Sequence, residues 1–507
     1  MADPALTRKP LAGDSRQMLQ AARQLLNDRR FPEAARAFAA VLAVQPDCVE
    51  AHAQLGQLLF QANELPAALG CLQQAARISP EMPRLNALMA AVLRKLGRLE
   101  ESAACCERES RISLGDPDAH YNLALARQTL QQIPDAIASY RVALRLRPDY
   151  LDVLLGLGRS LRQDRQTEAA LKCFAQAVQL APSDARANWE LGTTQLALGQ
   201  FRAGWKGFEW RWKLPDFTTP PPRYEQPQWD GRDLGGQRIF LHCEQGYGDV
   251  IQFSRYAALV AARGGHVMLG CPKPLQSLMQ TVPGVAEVVT TRQDLPPFDT
   301  HAPLMSLPAI FGTTLETIPA AIPYLHPRTS TPAKWVEDLP EKKIGVAWAG
   351  SSAHSNDVNR SLPLACLKPL LKLPGIRWHS LQVGEAAQAL AQPDFADMVD
   401  LGSRFGDFHD TAEAICELDL VIAVDTAVAH LAGAMGKPVW LLLPYEAEWR
   451  WMTDREDSPW YPTMRLFRQA TPGNWKELLE RVARQLKAIW PHLFSSVRNP
   501  YDIIRLS

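Results

Sequence analysis

The sequence predicts an all-α repeat array followed by two α/β units, and three observations carry that expectation. Pro46, Pro80, Pro148 and Pro182 mark a 34-residue step, with Leu114 standing where one proline is missing. From Arg238 onward, short apolar runs alternate with helical stretches, the grammar of a parallel sheet. Proline-spaced segments, one after the repeats and one from Pro319 to Pro340, divide the remainder into two sheets.

Between the prolines the same small and large residues recur. "AHAQLGQLLFQANELPAALGCLQQAARISP" aligns with "AHYNLALARQTLQQIPDAIASYRVALRLRP" and with "VLLGLGRSLRQDRQTEAALKCFAQAVQLAP". These segments resemble the tetratricopeptide repeat (TPR), in six units from Ser15 to Pro215. The resemblance implies an all-α TPR superhelix over 15–215 whose concave groove holds a peptide or partner helix. In the sixth unit, "GQFRAGWKGFEWRWKLPDF", aromatics crowd the second helix; they are expected to bury that face against the next domain, an exposed binding patch being the alternative.

A proline-rich linker spans 216–236. The first α/β half, 237–327, contains strands "RIFLHC", "HVMLGC" and "AEVVTT" and a helix "VIQFSRYAALVAARG". A second linker covers 328–341. The second half, 342–491, contains strands "KIGVAWAG", "RWHSLQV", "LVIAVD" and "PVWLLL", and 492–507 form a tail.

Length and charge narrow the function class. A chain of 507 residues suits about three domains. Its 54 basic and 54 acidic residues cancel without long blocks of one sign, which argues against a nucleic-acid surface. Nine cysteines lack metal-ligand spacing, and no segment reaches the ~18 unbroken apolar residues of a membrane span. The chain reads as cytoplasmic, with no metal site.

Four stretches could do chemistry. In "VDTAVAHLAGAMGKPVWLLLP", Leu420 to Val424 and Val439 to Leu443 read as buried strands, with a helix from Thr426 to Met435 stopped by Gly436. Asp425 and Thr426 then sit at a strand's carboxyl end, where a helix N-terminus attracts an anion; simple helix capping is the other reading. His430 lies about one turn on and faces either the same crevice or the core. In "HCEQGYGDVIQFSRY", Gln245, Gly246 and Gly248 form a turn able to approach a ligand, and Asp249 is either a helix-start residue or a catalytic carboxylate. Glu244, before the same turn, is the next acid. The loop "AWAGSSAHSNDVNRSLPL" carries His354, Asn356, Asp357 and Arg360, whose fork suits phosphate oxygens. In "SLQVGE", Gln382 and Glu385 follow a strand and could hold a ribose or base edge.

Together these residues resemble the heptosyltransferase-type family of glycosyltransferases, over Arg238 to Lys487. The resemblance implies the GT-B fold, two Rossmann-like domains facing a cleft. It carries the role of base onto Asp249 of the glycine-aspartate loop. Onto Asp425, Thr426, His430, Ala432 and "GKP" it carries diphosphate binding; Arg360 falls at a phosphate ligand and Glu385 at a ribose ligand. "EQGYGDVIQFSRY" and "DREDSPWYPTMRLFRQ" look like the TPR-fused branch of that family. Layout alone is similar to protein O-GlcNAc transferases. The implied activity is metal-independent, inverting transfer from a nucleotide-diphosphate-sugar donor to a protein or peptide held by the array, with no cofactor; a homodimer through the array is compatible. A repeat scaffold with a degenerate GT-B half is the rival, and a sugar-nucleotide epimerase a third reading.

Overall fold

In the computed structural model, which describes residues 12–221, 223–291, 293–327, 335–337, 340–353 and 356–493, the 34-residue step reappears as a packing ladder. The first unit ends at Pro182. Its helices are α1 (Ala12–Asn27), α2 (Phe31–Val44), α3 (Val49–Gln61), α4 (Leu65–Ile78), α5 (Leu85–Lys95), α6 (Leu99–Ile112), α7 (Pro117–Thr129), α8 (Ile133–Leu146), α9 (Leu151–Gln163) and α10 (Thr167–Leu180), paired as hairpins. Ala34, Ala68, Ala136 and Ala170 are fully buried at equivalent places, small enough for the helices to approach closely. Phe38, Leu72, Cys106, Tyr140 and Phe174, again 34 apart, fill the space beside them.

The third hairpin departs from the ladder, and each of its polar replacements finds its own partner. Ser102 replaces the alanine and donates its hydroxyl to the Ala90 carbonyl at 2.8 Å. Glu109 stands, buried, where Val41, Ala75, Ala143 and Ala177 stand in the other hairpins. Its carboxylate accepts from the Arg84 amide at 2.7 Å and the Ala87 amide at 3.4 Å, at the start of α5. A buried acid is thereby satisfied by orphan amides of a helix N-terminus.

The second unit begins at Ser183. Its first elements, α11 (Ala185–Ala197) and α12 (Phe201–Phe208), continue the repeat pattern but pack on the α/β region. Phe201, Trp205 and Phe208 are buried there. The Trp205 indole donates to the Thr313 carbonyl at 2.9 Å and meets the Trp449 ring edge-on at 5.4 Å, while Phe201 stacks on Trp460 at 6.2 Å. Just beyond α12, fully buried Arg211 donates to Glu244 at 2.8 Å and to the Ser306 hydroxyl at 2.7 Å. The sixth hairpin is thus part of the α/β core.

Two all-parallel sheets follow. The first holds β1 (Arg238–His242), β2 (His266–Gly270), β3 (Val285–Val289) and β4 (Thr300–Pro303), in the order β3-β2-β1-β4. The second holds β5 (Lys342–Ala347), β6 (Ile376–Ser380), β7 (Val399–Asp400), β8 (Leu420–Val424), β9 (Val439–Leu443) and β10 (Met464–Arg468), in the order β10-β9-β8-β5-β6-β7. Counted from β5, that is the doubly wound order 3-2-1-4-5-6, whose direction reverses between β5 and β8. Strands β4, β7 and β10 were not expected from the sequence. The helix expected over "VIQFSRYAALVAARG" is broken into Tyr247–Phe253, a tight turn Ser254–Tyr256 and Ala257–Ala261. The turn falls where the buried Arg255 guanidinium reaches the Trp460 carbonyl at 2.6 Å and the Tyr324 hydroxyl at 2.9 Å.

A boundary at residue 231 would remove α11, α12 and Arg211, uncovering Trp449 and Trp460 and leaving Glu244 buried without its partner, a loss of about 3–5 kcal/mol for the ion pair alone. Residues 183–507 should therefore fold and melt cooperatively, whereas 231–507 should aggregate or lack a cooperative transition by circular dichroism.

Candidate functional site

The carboxyl ends of β1 and β8 open onto two helices that touch. After β1, the chain turns through Gln245 and Gly246 into the Tyr247–Phe253 helix; after β8, Asp425 and Thr426 lead into the Ala427–Ala434 helix. Neither Gly246 nor Gly248 adopts a positive φ, so the turn itself does not demand glycine. Gly248 answers a different need, because a Cβ there would lie 2.8 Å from the His430 ring. His430 is buried, so its side chain faces the core and braces the turn instead of lining a ligand cavity.

Asp249 has both carboxylate oxygens engaged. Oδ2 accepts from the Gly246 amide at 3.1 Å, and Oδ1 accepts from Arg450 Nη2 at 2.6 Å. Arg450 belongs to the loop after β9 and is almost wholly buried. Asp249 is therefore both helix-start residue and one half of an ion pair joining elements of the two sheets. Glu244 is removed from candidacy as a base by its enclosure with Arg211.

Asp425 corrects one expectation. Its carboxylate turns away from the helix N-terminus and accepts from the Trp451 indole N–H at 2.8 Å, with His430 Nε2 at 3.6 Å from its other oxygen. Burial alone would raise its pKa, but the His430 contact, the Arg450 charge and the Trp451 bond outweigh that and hold it down at about 2. An anion so held repels phosphate, and Asp425 acts as a brace. His430 in turn meets the Tyr461 hydroxyl through Nδ1 at 2.9 Å, and burial pushes its pKa below the usual value, leaving a neutral ring.

A smaller set is gathered at the carboxyl ends of β5 and β8. Thr426 precedes the Ala427–Ala434 helix without a capping bond, and its hydroxyl oxygen, itself buried, has no partner among the described residues. Arg360 reaches across from the β5 side, donating through Nη1 to the Asp425 carbonyl at 3.3 Å and through Nε to Asp357 at 3.1 Å. Its guanidinium lies against Gly350, where a Cβ would come within 2.4 Å of Nη2. Arg360, Thr426 and the first helix amides thus form an anion-suited group.

The remaining candidates divide. Gln382 is buried and saturated: its oxygen accepts from the Trp348 and Ala349 amides at 3.0 Å each, and its nitrogen donates to the Ala349 and Val383 carbonyls at 3.1 and 3.0 Å. It shapes the β5 exit and has no capacity left for a ribose. Glu385 is exposed beside Gly384 after β6, and Asn356 is exposed at the head of the Asp357–Arg360 turn, accepting from Asn359 at 2.7 Å. Gln245 is half-buried in the turn after β1. His354 lies outside the described residues. Sequence reasoning missed Glu448, Arg450 and Trp451, whose signal was the alternation of charge and tryptophan in "EAEWRW", and gave no role to Tyr461 within "DREDSPWYPTMRLFRQ". Among the described residues, no cluster of His, Cys, Asp and Glu suits a metal ion, and no helix is long and apolar enough to cross a membrane.

A tetratricopeptide repeat family model matches residues 19–83 and 155–203, in keeping with the alanine ladder: the chain carries TPR repeats. Protein FlbA of Caulobacter vibrioides is 28% identical over 513 residues, covering 93% of this chain and 83% of its own length. Among solved structures, YrrB, described as a TPR protein with an unusual peptide-binding site, is 19% identical with a TM-score of 0.32, covering 35% of this chain and 91% of its own. The pilF protein of Pseudomonas aeruginosa is 18% identical with a TM-score of 0.35, covering 39% and 90%. The similarity to FlbA spans both units; the repeats themselves are the part that fits protein or peptide binding.

Asp425 ties stability to pH. Its folded pKa lies below the unfolded value of about 3.9, so its contribution is present above pH 4 and lost as pH falls toward 2. A depression of this size is worth about 2.5 kcal/mol. Urea melts should show Asp425→Asn less stable than wild type by that order at pH 7, with the gap closing near pH 2.5. A gap that does not narrow would deny the depressed pKa.

Proposed function

We propose that the chain is a GT-B-type glycosyltransferase that moves a sugar from a nucleotide-diphosphate donor to a protein or peptide recruited by its TPR array. The observation that supports this reading is the Arg360–Thr426 group at the switch point between β5 and β8, facing a helix N-terminus. A leaving diphosphate carries about two or more negative charges, which an arginine and backbone amides can stabilise in an enclosed, preorganised site. For the acceptor proton, the family resemblance names Asp249. Metal independence and inversion rest on that resemblance.

The TPR array supports a macromolecular acceptor, since such stacks present an extended surface for peptides. One observation favours the rival scaffold reading: both oxygens of Asp249 are engaged, one of them by a buried arginine. Nucleotide binding separates the two. Uridine or guanosine diphosphate should bind the wild-type protein by calorimetry, and Arg360→Ala should weaken that binding by about 1.5–3 kcal/mol, the range for a hydrogen bond to a charged group. Unchanged affinity in the folded variant removes Arg360 from the site, and no binding of any nucleoside diphosphate to wild type favours the scaffold.

A further inference from the structure

We infer that Glu448, in the loop after β9, is the catalytic base of the transfer step, with Arg450 and Asp249 as the ion pair that positions it. The inference rests on the glycosyltransferase reading and names the residue that takes the proton. Its first support is geometric. Among the carboxylates gathered here, Asp425 is committed to Trp451 and His430, and Asp249 to Gly246 and Arg450. Glu448 engages only one oxygen: Oε2 accepts from the Arg450 amide at 2.9 Å and lies 3.4 Å from Arg450 Nε. Its Oε1 has no partner among the described residues, and its side chain, 36% exposed, has the greatest access to solvent of the three. A base must reach a hydroxyl from outside the core, and Glu448 alone has both a free oxygen and access.

Its surroundings supply the second support. Arg450 faces it from its own loop, Asp425 from the end of β8 and Asp249 from the Tyr247–Phe253 helix; His430, beside Asp425, is neutral. Partial burial, together with the two neighbouring carboxylates, raises Glu448 to about 7 against the opposing pull of Arg450, while Oε1 keeps its access to solvent. A base is most effective when its pKa lies near the working pH, and a carboxylate of ordinary pKa falls short of that.

The step balances. The acceptor hydroxyl oxygen forms a bond to the sugar's C1, the bond from C1 to the diphosphate oxygen breaks, and its electron pair leaves on the diphosphate. The hydroxyl proton passes to Glu448 Oε1 and later to solvent.

The test compares wild type, Glu448→Gln and Asp249→Asn in hydrolysis of UDP-N-acetylglucosamine, UDP-glucose and GDP-mannose, where water is the acceptor. Diphosphate affinity is measured alongside by calorimetry. Glutamine keeps an oxygen for the Arg450 amide, so Glu448→Gln should fold and bind diphosphate as wild type does. Its turnover should fall by about 10²–10⁴-fold, more than that of Asp249→Asn. The wild-type rate should rise with pH through about 7 and level off above it, because the base must be deprotonated. A Glu448→Gln rate within a few-fold of wild type, with Asp249→Asn crippled, would return the base to Asp249 and leave the glycosyltransferase reading standing. Should wild type bind diphosphate without hydrolysing any probe, carbon-13 NMR of its glutamate carboxyls decides. A midpoint near 7 that vanishes in Glu448→Gln supports the assignment, and its absence overturns it. A wild-type protein that neither binds nor hydrolyses nucleotide compounds would sink the reading and the inference together.

Discussion

The second unit depends on one close approach, the seating of the Tyr247–Phe253 helix on the Ala427–Ala434 helix with His430 against Gly248. Any side chain at 248 would enter the His430 ring, 2.8 Å from an ideal Cβ. His430 cannot yield, because Tyr461 holds one nitrogen, Asp425 lies beside the other, and the Trp451 ring stands 5.3 Å away. The two helices therefore pack closely at Gly248, and Asp249 is brought within reach of a loop that leaves the opposite sheet.

The charges around this seam follow from that geometry. Arg450 is shared among Asp249, Glu448 and, at longer range, Asp425. One cation among three carboxylates leaves an excess of negative charge, and the group best able to relieve it by binding a proton is the least buried, Glu448. Arg360 is bonded to the Asp425 carbonyl through Nη1 and paired with Asp357 through Nε, so a bound anion would share its guanidinium with Asp357. On the proposed reading, the site divides into an anion-binding half near β5 and a proton-accepting half near β9.

Much of this was legible in the sequence, for identifiable reasons. The repeats announce themselves because each hairpin solves the same packing problem, and Ala34, Ala68, Ala136 and Ala170 recur at its tightest point. Strands β8 and β9 match their expected limits because both are central and buried throughout, which writes them as unbroken apolar runs. Strand β4 escaped notice because "THAP" has neither an apolar run nor alternation, β7 because it is two residues long, and β10 because Arg465 and Arg468, three apart at the sheet edge, break both an apolar run and strict alternation. Within the site, Asp249, Arg360, Asp425, Thr426 and His430 could be picked out by position at strand ends. Their roles could not, since these depend on partners such as Arg450, 201 residues from Asp249 in a loop without periodicity. Gln382 shows the same limit: its place after β6 suggested a ligand contact, whereas its four backbone bonds are a property of the folded β5 exit.

The most direct test of the central claim, that the switch point of the second sheet is a nucleotide-diphosphate site, is a crystal structure with uridine, guanosine or thymidine diphosphate. Phosphate oxygens should lie within hydrogen-bonding distance of Arg360, the Thr426 hydroxyl and the first amides of the Ala427–Ala434 helix, with Asp425 still turned to Trp451. Density for the diphosphate at another place in the second unit, or its absence from this helix N-terminus at saturating nucleotide, would contradict it.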